Sequence, residues 1–233
     1  MLPWQQLGSA TIPGEGVTLV LLQRGTEFVI RIGTVTLMGS TMHGSEDVLA
    51  ERACARIARG AAAHVLVGGL GMGFTLAAAL RHLGSTARVT VAELVPAVVE
   101  WNRGPLAHLA GRPLEDPRTA VWEGDVAAAY RVKRAAFDAI LLDIDNGPNG
   151  LTRAKNNWLY SPAGLGAAFD ALCAGGILGV WSIGPDREFT RRLARAGFTV
   201  EEDTVRARRT KGGHHTLWFA TRPRAGANRR RRT

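Results

Sequence analysis

The chain has 233 residues, of which 29 are Lys or Arg and 20 are Asp or Glu, and its formal net charge is +9. This length fits one domain with a full core, and a hydrophobic content of 46% excludes a disordered, collagen-like or coiled-coil chain. The positive charge is concentrated at one end, because residues 205 to 233 contain ten basic residues and no acidic one. The body of the protein is therefore close to neutral.

The sequence gives no sign of export, a membrane segment or a metal site. The first ten residues lack the basic and apolar regions of a signal peptide, and the apolar run at 136–142 is too short to span a bilayer. Cys54 and Cys173 lie far apart and give neither a disulfide framework nor metal-ligand spacing. We therefore expect a cytoplasmic protein that binds neither a membrane nor a metal.

The first 60 residues predict a small β region followed by a helix. Three short runs rich in β-branched residues between residues 17 and 38 are typical of a β-meander. Ser45 then caps a helix that has Glu46 and Asp47 in its first turn and that we expect to end at Gly60.

From residue 64 onward, apolar strand runs alternate with helical segments. One helix begins after Ser161 and is predicted to end at Gly175. The last two strands have no helix between them, which predicts an antiparallel hairpin. The seven predicted strands are residues 64–68, 88–93, 119–123, 137–143, 177–182, 198–203 and 215–221.

This alternation predicts an α/β fold: a doubly wound, mostly parallel, seven-stranded Rossmann-like sheet with a small N-terminal β-meander. We expect three regions in the chain. They are the β region at 1–44, a nucleoside-binding catalytic domain at 45–221, and a basic, disordered tail at 222–233.

The turn after the first strand of this sheet is rich in glycine. Gly69, Gly71 and Gly73 allow a ligand to approach the backbone closely, next to the N-terminus of the following helix. Phe74 stands where the dinucleotide fingerprint requires its third glycine, which favours a nucleoside without phosphates over NAD. The alternative is that the glycines serve only a tight turn.

Three acids follow the next three strands. Glu93 lies about twenty residues beyond the glycines, where a carboxylate accepts the ribose hydroxyls, although it could merely cap the next helix. Asp125 is either a ligand or a helix N-cap. Asp143 ends an apolar strand, where an acid is costly to bury without a role. All three lie at the strand ends where open α/β sheets bind ligands.

With these motifs, the run from about Val17 to Arg222 resembles the spermidine synthases and related polyamine aminopropyltransferases. The resemblance includes VLVGGLGMG, VAELVPAVVE, EGD and FDAILLDIDNGPNG. It implies a class I S-adenosylmethionine-dependent methyltransferase fold, with S-adenosylmethionine or its decarboxylated form as co-substrate.

The resemblance also implies residue roles. The three glycines would hold the methionine-derived part of the co-substrate, Glu93 its ribose and Asp125 its adenine amino group. Asp143 matches the first aspartate of the D-x-x-D motif, which helps to activate the attacking amine, and Asp145 is a second catalytic candidate. The predicted acceptor pocket would be formed by Glu46, Asp47, Asn146, Trp158 and Tyr160, although aromatic residues that precede a helix are more often packed against the core.

Three departures from the family pattern concern acceptor charge. Gly71 stands where the family usually has an acid, Asn146 replaces the second aspartate of D-x-x-D, and Ser45 replaces a tyrosine of the substrate gate. A polyamine pocket needs several carboxylates. These losses therefore favour methyl transfer to a small acceptor, for which we expect an amine, over the alternative of aminopropyl transfer from decarboxylated S-adenosylmethionine to a diamine.

Two further alternatives are a catalytically silent nucleoside binder and a nucleic-acid-binding protein that uses the basic tail. No recognisable reader motif supports the second one, so nucleic acid contacts are expected only as nonspecific contacts of the tail. The expected assembly is a homodimer, the commonest default.

Overall fold

The computed structural model describes residues 2–57, 62–144, 158–208 and 211–224. Its N-terminal part is a four-stranded antiparallel sheet in the order β1-β2-β3-β4. The meander predicted between residues 17 and 38 is confirmed, and β1 is an additional strand that its small and polar residues did not reveal. The strands are β1 (Gln5–Thr11), β2 (Thr18–Arg24), β3 (Glu27–Ile32) and β4 (Val35–Gly39).

The second sheet has seven strands in the order β10-β11-β9-β8-β5-β6-β7. The strands from β9 to β7 are parallel, and β11 runs antiparallel to β9 and forms a hairpin with β10. The predicted mostly parallel sheet and its terminal hairpin are therefore confirmed. The strands are β5 (His64–Gly68), β6 (Arg88–Glu93), β7 (Thr119–Glu123), β8 (Phe137–Leu142), β9 (Leu172–Ser182), β10 (Thr199–Arg208) and β11 (Lys211–Thr221).

In the described part of the chain, six α-helices connect these strands, and the longest of them has 11 residues. Within the described ranges, none is long and apolar enough to cross a membrane. Asp125, Ser161 and Asp186 cap three of them by accepting backbone N–H bonds. The helices are α1 (Gly44–Cys54), α2 (Phe74–His82), α3 (Pro96–Arg103), α4 (Val126–Tyr130), α5 (Pro162–Ala171) and α6 (Arg187–Arg195).

Two helices end earlier than the sequence predicts. The chain leaves α1 through short i→i+3 bonds at Arg56 and Ile57, and residues 58–61 are outside the described part. The helix α5 stops at Ala171 because Leu172 already pairs with Phe137 of β8. Sheet pairing thus overrides the helical pattern there, and Gly175 lies inside β9 instead of terminating a helix.

Apolar side chains pack on both faces of the large sheet. One cluster joins α1, α2 and α3 to the N-terminal sheet through residues such as Leu21, Ile30 and Leu49. The other joins α4, α5 and α6 around Tyr130 and Trp218. The small sheet is thereby held against the large one, close to the carboxyl ends of β5 and β6.

The ordered chain continues past the last strand. Arg222, the first residue of the predicted tail, donates hydrogen bonds to the carbonyl oxygens of Phe169 (2.8 Å) and Leu172 (2.6 Å). Residues 225–233 are outside the described part of the chain. The prediction of disorder for the arginine run itself therefore stays a prediction.

Candidate functional site

A cavity with about 760 Å³ of empty space, part of it open to solvent, lies at the carboxyl ends of β5, β6, β7 and β8. Because β5 and β8 are neighbours, it sits at the point where the strand order reverses. The N-terminal sheet covers it with apolar side chains: Ile12, Leu19, Ile30, Leu37 and Met38. The large sheet contributes the predicted site residues Gly69, Gly71, Glu93, Asp125 and Asp143.

The glycine turn between β5 and α2 is required by backbone geometry. Gly69 has a φ of 88°, and a Cβ there would lie 2.3 Å from the carbonyl oxygen of Asp143. A Cβ on Gly71 would lie 3.1 Å from Met38 Sδ. Gly73 has a φ of 82° and forms the N-cap of α2, but it is not among the residues that line the cavity. Gly69 and Gly71 are thus the two glycines positioned to meet a ligand.

Glu93 ends β6 inside the cavity wall and is only 9% exposed. Its carboxylate accepts hydrogen bonds from the backbone N–H groups of Leu70 (3.0 Å) and Val95 (2.8 Å). Burial raises the pKa of Glu93, and these backbone donors oppose the shift. The backbone N–H groups of Leu94 and Gly71 also stabilise the carboxylate. The side chain lines the cavity, where it can face the hydroxyl groups of a ligand.

Asp125 is confirmed as a helix N-cap, and its predicted contact with a ligand stays a prediction. Its side chain caps α4 by accepting the N–H of Ala127 at 2.9 Å, and it also lines the cavity. The nearby Trp122 is 47% exposed, and its indole lies so close to Gly124 that a Cβ there would be 2.8 Å from Nε1. Sequence reasoning missed this tryptophan because a β-strand aromatic is usually packed against a core.

Asp143 follows β8 directly and is held by α2. Thr75 Oγ1 donates a hydrogen bond of 2.5 Å to Asp143 Oδ2, and the Asp143 N–H donates to the carbonyl oxygen of Gly68 at 3.0 Å. Burial raises the pKa of Asp143 to about 6, although the Thr75 bond opposes the shift. Thr75 was also missed from the sequence, where it is one hydroxyl residue in an otherwise apolar helix.

Glu46, in the first turn of α1, is the second acid close to this position. Burial raises the pKa of Glu46 well above its usual range, and the charge of Asp143 raises it further. Asp47 differs, because it accepts from Arg81 Nη2 at 2.9 Å and lies 3.0 Å from His43 Nδ1. We refer to Glu46 and Asp143 as the acid pair; Asp47 has cationic partners of its own.

Several predicted site residues that the structure describes are not among those that line the cavity: Glu46, Asp47, Gly73, Trp158 and Tyr160. Tyr160 is 2% exposed and packs edge-on against Phe189, with ring centroids 5.6 Å apart, and Trp158 packs against the same apolar cluster. The structure thus favours core packing over the predicted role as walls of the acceptor pocket. Asp145 and Asn146 are outside the described residues. Among described residues, no group of three His, Cys, Asp or Glu side chains could hold a metal ion.

No protein-family model matches the chain. A polyamine aminopropyltransferase 1 of Streptomyces coelicolor is 37% identical to it over 100 residues, which are 42% of this chain. The match spans only 18% of that larger protein.

Solved structures match over more of the chain. A spermidine synthase in complex with the transition-state analogue AdoDATO aligns with a TM-score of 0.77 and 18% identity, covering 94% of this chain and 74% of its own. The Thermotoga maritima spermidine synthase gives 0.73 at 18% identity, over 94% and 72%. A Bacillus cereus O-methyltransferase in complex with SAH gives 0.55 at 18% identity, over 76% and 80%. The predicted resemblance and the class I methyltransferase-like fold are confirmed: the chain is similar in fold to spermidine synthases over most of its length.

Proposed function

We propose that this chain is a transferase that moves the aminopropyl group of decarboxylated S-adenosylmethionine to a small amine. The sequence departures favoured methyl transfer, but the similarity to an aminopropyltransferase and to spermidine synthases supports the alternative better. The O-methyltransferase shares the fold at a lower TM-score. Methyl transfer is therefore the second candidate, and the test below separates the two.

The acid pair is the observation that carries the proposal. Two buried carboxyl groups, of which Asp143 also raises the pKa of Glu46 by its charge, form a site that stabilises a cation and repels an anion. S-adenosylmethionine carries a carboxylate that the decarboxylated donor lacks, and a carboxylate close to Asp143 would be destabilised. In this proposal Glu46, which lies outside the cavity lining but close enough for the charge of Asp143 to raise its pKa, supplies the acidic charge missing at Gly71.

The rest of the cavity fits the nucleoside part of the donor. In the proposed arrangement, Glu93 accepts the ribose hydroxyls, Asp125 contacts the adenine, and the backbone at Gly69 and Gly71 follows the chain that bears the sulfur. The apolar cover contributed by β4 through Leu37 and Met38 excludes water from the adenosine and the sulfur.

The acceptor must attack as a neutral amine. Its nitrogen lone pair forms a bond to the carbon next to the sulfonium, and the electron pair of the broken C–S bond returns to sulfur, which leaves as 5′-methylthioadenosine. An acceptor that arrives as an ammonium ion first loses one proton, and the ionised Asp143 carboxylate accepts it. Alignment of nitrogen, carbon and sulfur supplies the rest of the rate enhancement.

The test is to incubate the purified chain with each donor and a set of diamines, and to identify the nucleoside product. Aminopropyl transfer releases 5′-methylthioadenosine, whereas methyl transfer releases S-adenosylhomocysteine. We expect the first product only, and at least a 100-fold slower reaction in Asp143→Asn. Asp138→Asn, on the same strand but bonded to the His64 N–H, is the matched control. Release of S-adenosylhomocysteine, or no turnover with either donor, would contradict the proposal.

A further inference from the structure

The Ser45 hydroxyl lies between the acid pair and a histidine of the terminal hairpin. Ser45 is fully buried at the start of α1, and its Oγ is 2.9 Å from Nδ1 of His215 on β11. The same oxygen is 3.4 Å from Glu46 Oε2 and accepts a hydrogen bond from Trp181 Nε1 at 2.9 Å. Residues 170 positions apart in the chain therefore meet at one hydroxyl group.

The chemistry of these groups fixes how the hydroxyl can act. An indole N–H only donates, so Trp181 occupies an acceptor position of Ser45 permanently. The single Ser45 hydrogen then points either to His215 or to Glu46. The hydroxyl therefore has two orientations. It donates to His215 in one and to Glu46 in the other, and in this way it connects the two titratable groups.

The proposed reaction requires a route for a proton. An ammonium acceptor and a sulfonium donor give a secondary ammonium product, a neutral thioether and one free proton. In the proposed arrangement that proton reaches Asp143, which lines the cavity, and Glu46 is the acid whose pKa the charge of Asp143 raises. It must leave before the next turnover, because a protonated Asp143 cannot accept another one.

We propose that Ser45 and His215 form the exit path for this proton, a relay that rests on the proposed function. The Glu46 carboxyl donates its proton to Ser45 Oγ while the Ser45 hydrogen passes to His215 Nδ1. The imidazolium then releases its Nε2 proton to water, and tautomer exchange restores the starting state. No net charge remains on any of the three groups except the regenerated Glu46 carboxylate.

The position of His215 suits this role. Its ring is half-buried and packs edge-on against Trp181, with centroids 4.6 Å apart, so it lies between the buried acids and solvent. Burial lowers the pKa of His215, which keeps the imidazole neutral and ready to accept a proton.

Other titratable or charged groups lie around the relay and influence the pKa values of Glu46 and His215. They come from α1 and the residue before it, from α2, from the end of β8 and from the hairpin. Two of them, Asp47 and Arg81, form an ion pair with each other. The full set is His43, Asp47, Arg81, Asp143, Arg206 and His214.

The coupling can be measured without activity, by following the ¹⁵N shifts of the His215 ring with pH. We expect two inflections in the wild type, one from the ring and one from Glu46. Glu46→Gln and Ser45→Ala should each remove the second, whereas Glu51→Gln on the same helix should retain both. A single inflection in the wild type, or a second one that persists in Ser45→Ala, would overturn the relay.

Turnover gives the second readout. We expect His215→Ala to lower kcat about 10- to 100-fold with KM within about twofold, and added imidazole to restore kcat in proportion to its concentration. The neighbouring exposed His214→Ala is the matched control and should keep wild-type kcat. If the wild type is active but imidazole does not restore kcat in His215→Ala, the relay is wrong and the proposed function still stands. A wild type that shows coupled titration but no aminopropyl transfer would overturn the proposed function alone.

Discussion

Thr75 Oγ1 and Asp143 Oδ2 lie 2.5 Å apart, so the first turn of α2 holds the carboxyl group that ends β8. The glycine turn makes this contact possible, because it brings the start of α2 directly beside the strand end. A single hydroxyl thus connects the predicted donor-binding turn with the predicted proton acceptor. The ionised form of Asp143 depends on this bond, since burial alone favours the protonated form.

Replacing Thr75 with valine keeps the shape of the side chain but removes the hydrogen-bond donor. We expect the pKa of Asp143 to rise further above about 6, because the bond that stabilises the carboxylate is lost. In a profile of kcat/KM against pH, the acid limb should move to higher pH by about 0.5 to 1 unit. Thr75→Ser retains the hydroxyl and should keep the wild-type profile; an unmoved limb in Thr75→Val would contradict this assignment.

The raised pKa of Asp143 also predicts how stability changes with pH. In the unfolded chain the group titrates near 3.8, and in the folded chain near about 6, so the folded state binds the proton more tightly. The free energy of unfolding should therefore fall as pH rises between these two values and level off above them. Asp143→Asn should remove this fall and be more stable than the wild type at pH 7, by about 1 to 3 kcal/mol.

Urea unfolding at pH 4, 5, 6 and 7 measures this dependence. Glu46→Gln should flatten the same part of the curve, because burial and the charge of Asp143 raise the pKa of Glu46 in the folded state. Asp170→Asn is the control, since Asp170 forms only an exposed, 3.5 Å ion pair with Arg134. If the free energy of unfolding instead rises from pH 4 to pH 6, and by the same amount in the wild type and all variants, the sign argued for Asp143 is wrong.

Glu93 and Glu123 allow a sharp test of the ribose contact, because they are register partners at the ends of β6 and β7. Glu93 is buried in the cavity wall, whereas Glu123 is exposed. We expect Glu93→Gln to weaken the binding of 5′-methylthioadenosine at least tenfold in calorimetry, and Glu123→Gln to leave it unchanged. The wild type should also bind the 2′-deoxy analogue more weakly, and Glu93→Gln should lose most of that discrimination. Equal losses in both variants would argue against a specific ribose contact.

The sequence predicts the large sheet well because its strands are apolar runs separated by helices with recognisable caps. The acids at the strand ends also follow from the sequence, since parallel strands bring their carboxyl ends to one edge. Contacts between residues that are far apart in the chain cannot be predicted from the sequence in this way. Thr75, Trp122, and the meeting of Ser45 with His215 depend on how helices and hairpin pack on the sheet, and no local pattern records that packing.

The same limit explains the early end of α5 and the missed β1. Local helix propensity at Leu172 is overridden by pairing with β8, a contact 35 positions away in the chain. The strand β1 has few β-branched residues, and it forms because β2 offers an edge to pair with. In both places tertiary pairing decides the structure.

Gly69 is a position where the structure predicts a large effect of a single methyl group. Its φ of 88° is in the left-handed region, and an alanine Cβ would lie 2.3 Å from the carbonyl oxygen of Asp143. Either β5 and β8 separate at their ends or the glycine turn moves, and both changes displace Asp143 from Thr75. We expect Gly69→Ala to lose about 2 to 4 kcal/mol of folding free energy in urea unfolding. Gly166→Ala, in α5 with no atom within 4 Å of the new Cβ, should instead gain about 0.5 to 1 kcal/mol. If Gly69→Ala unfolds at the wild-type urea concentration, the close approach of this turn to the end of β8 is not required.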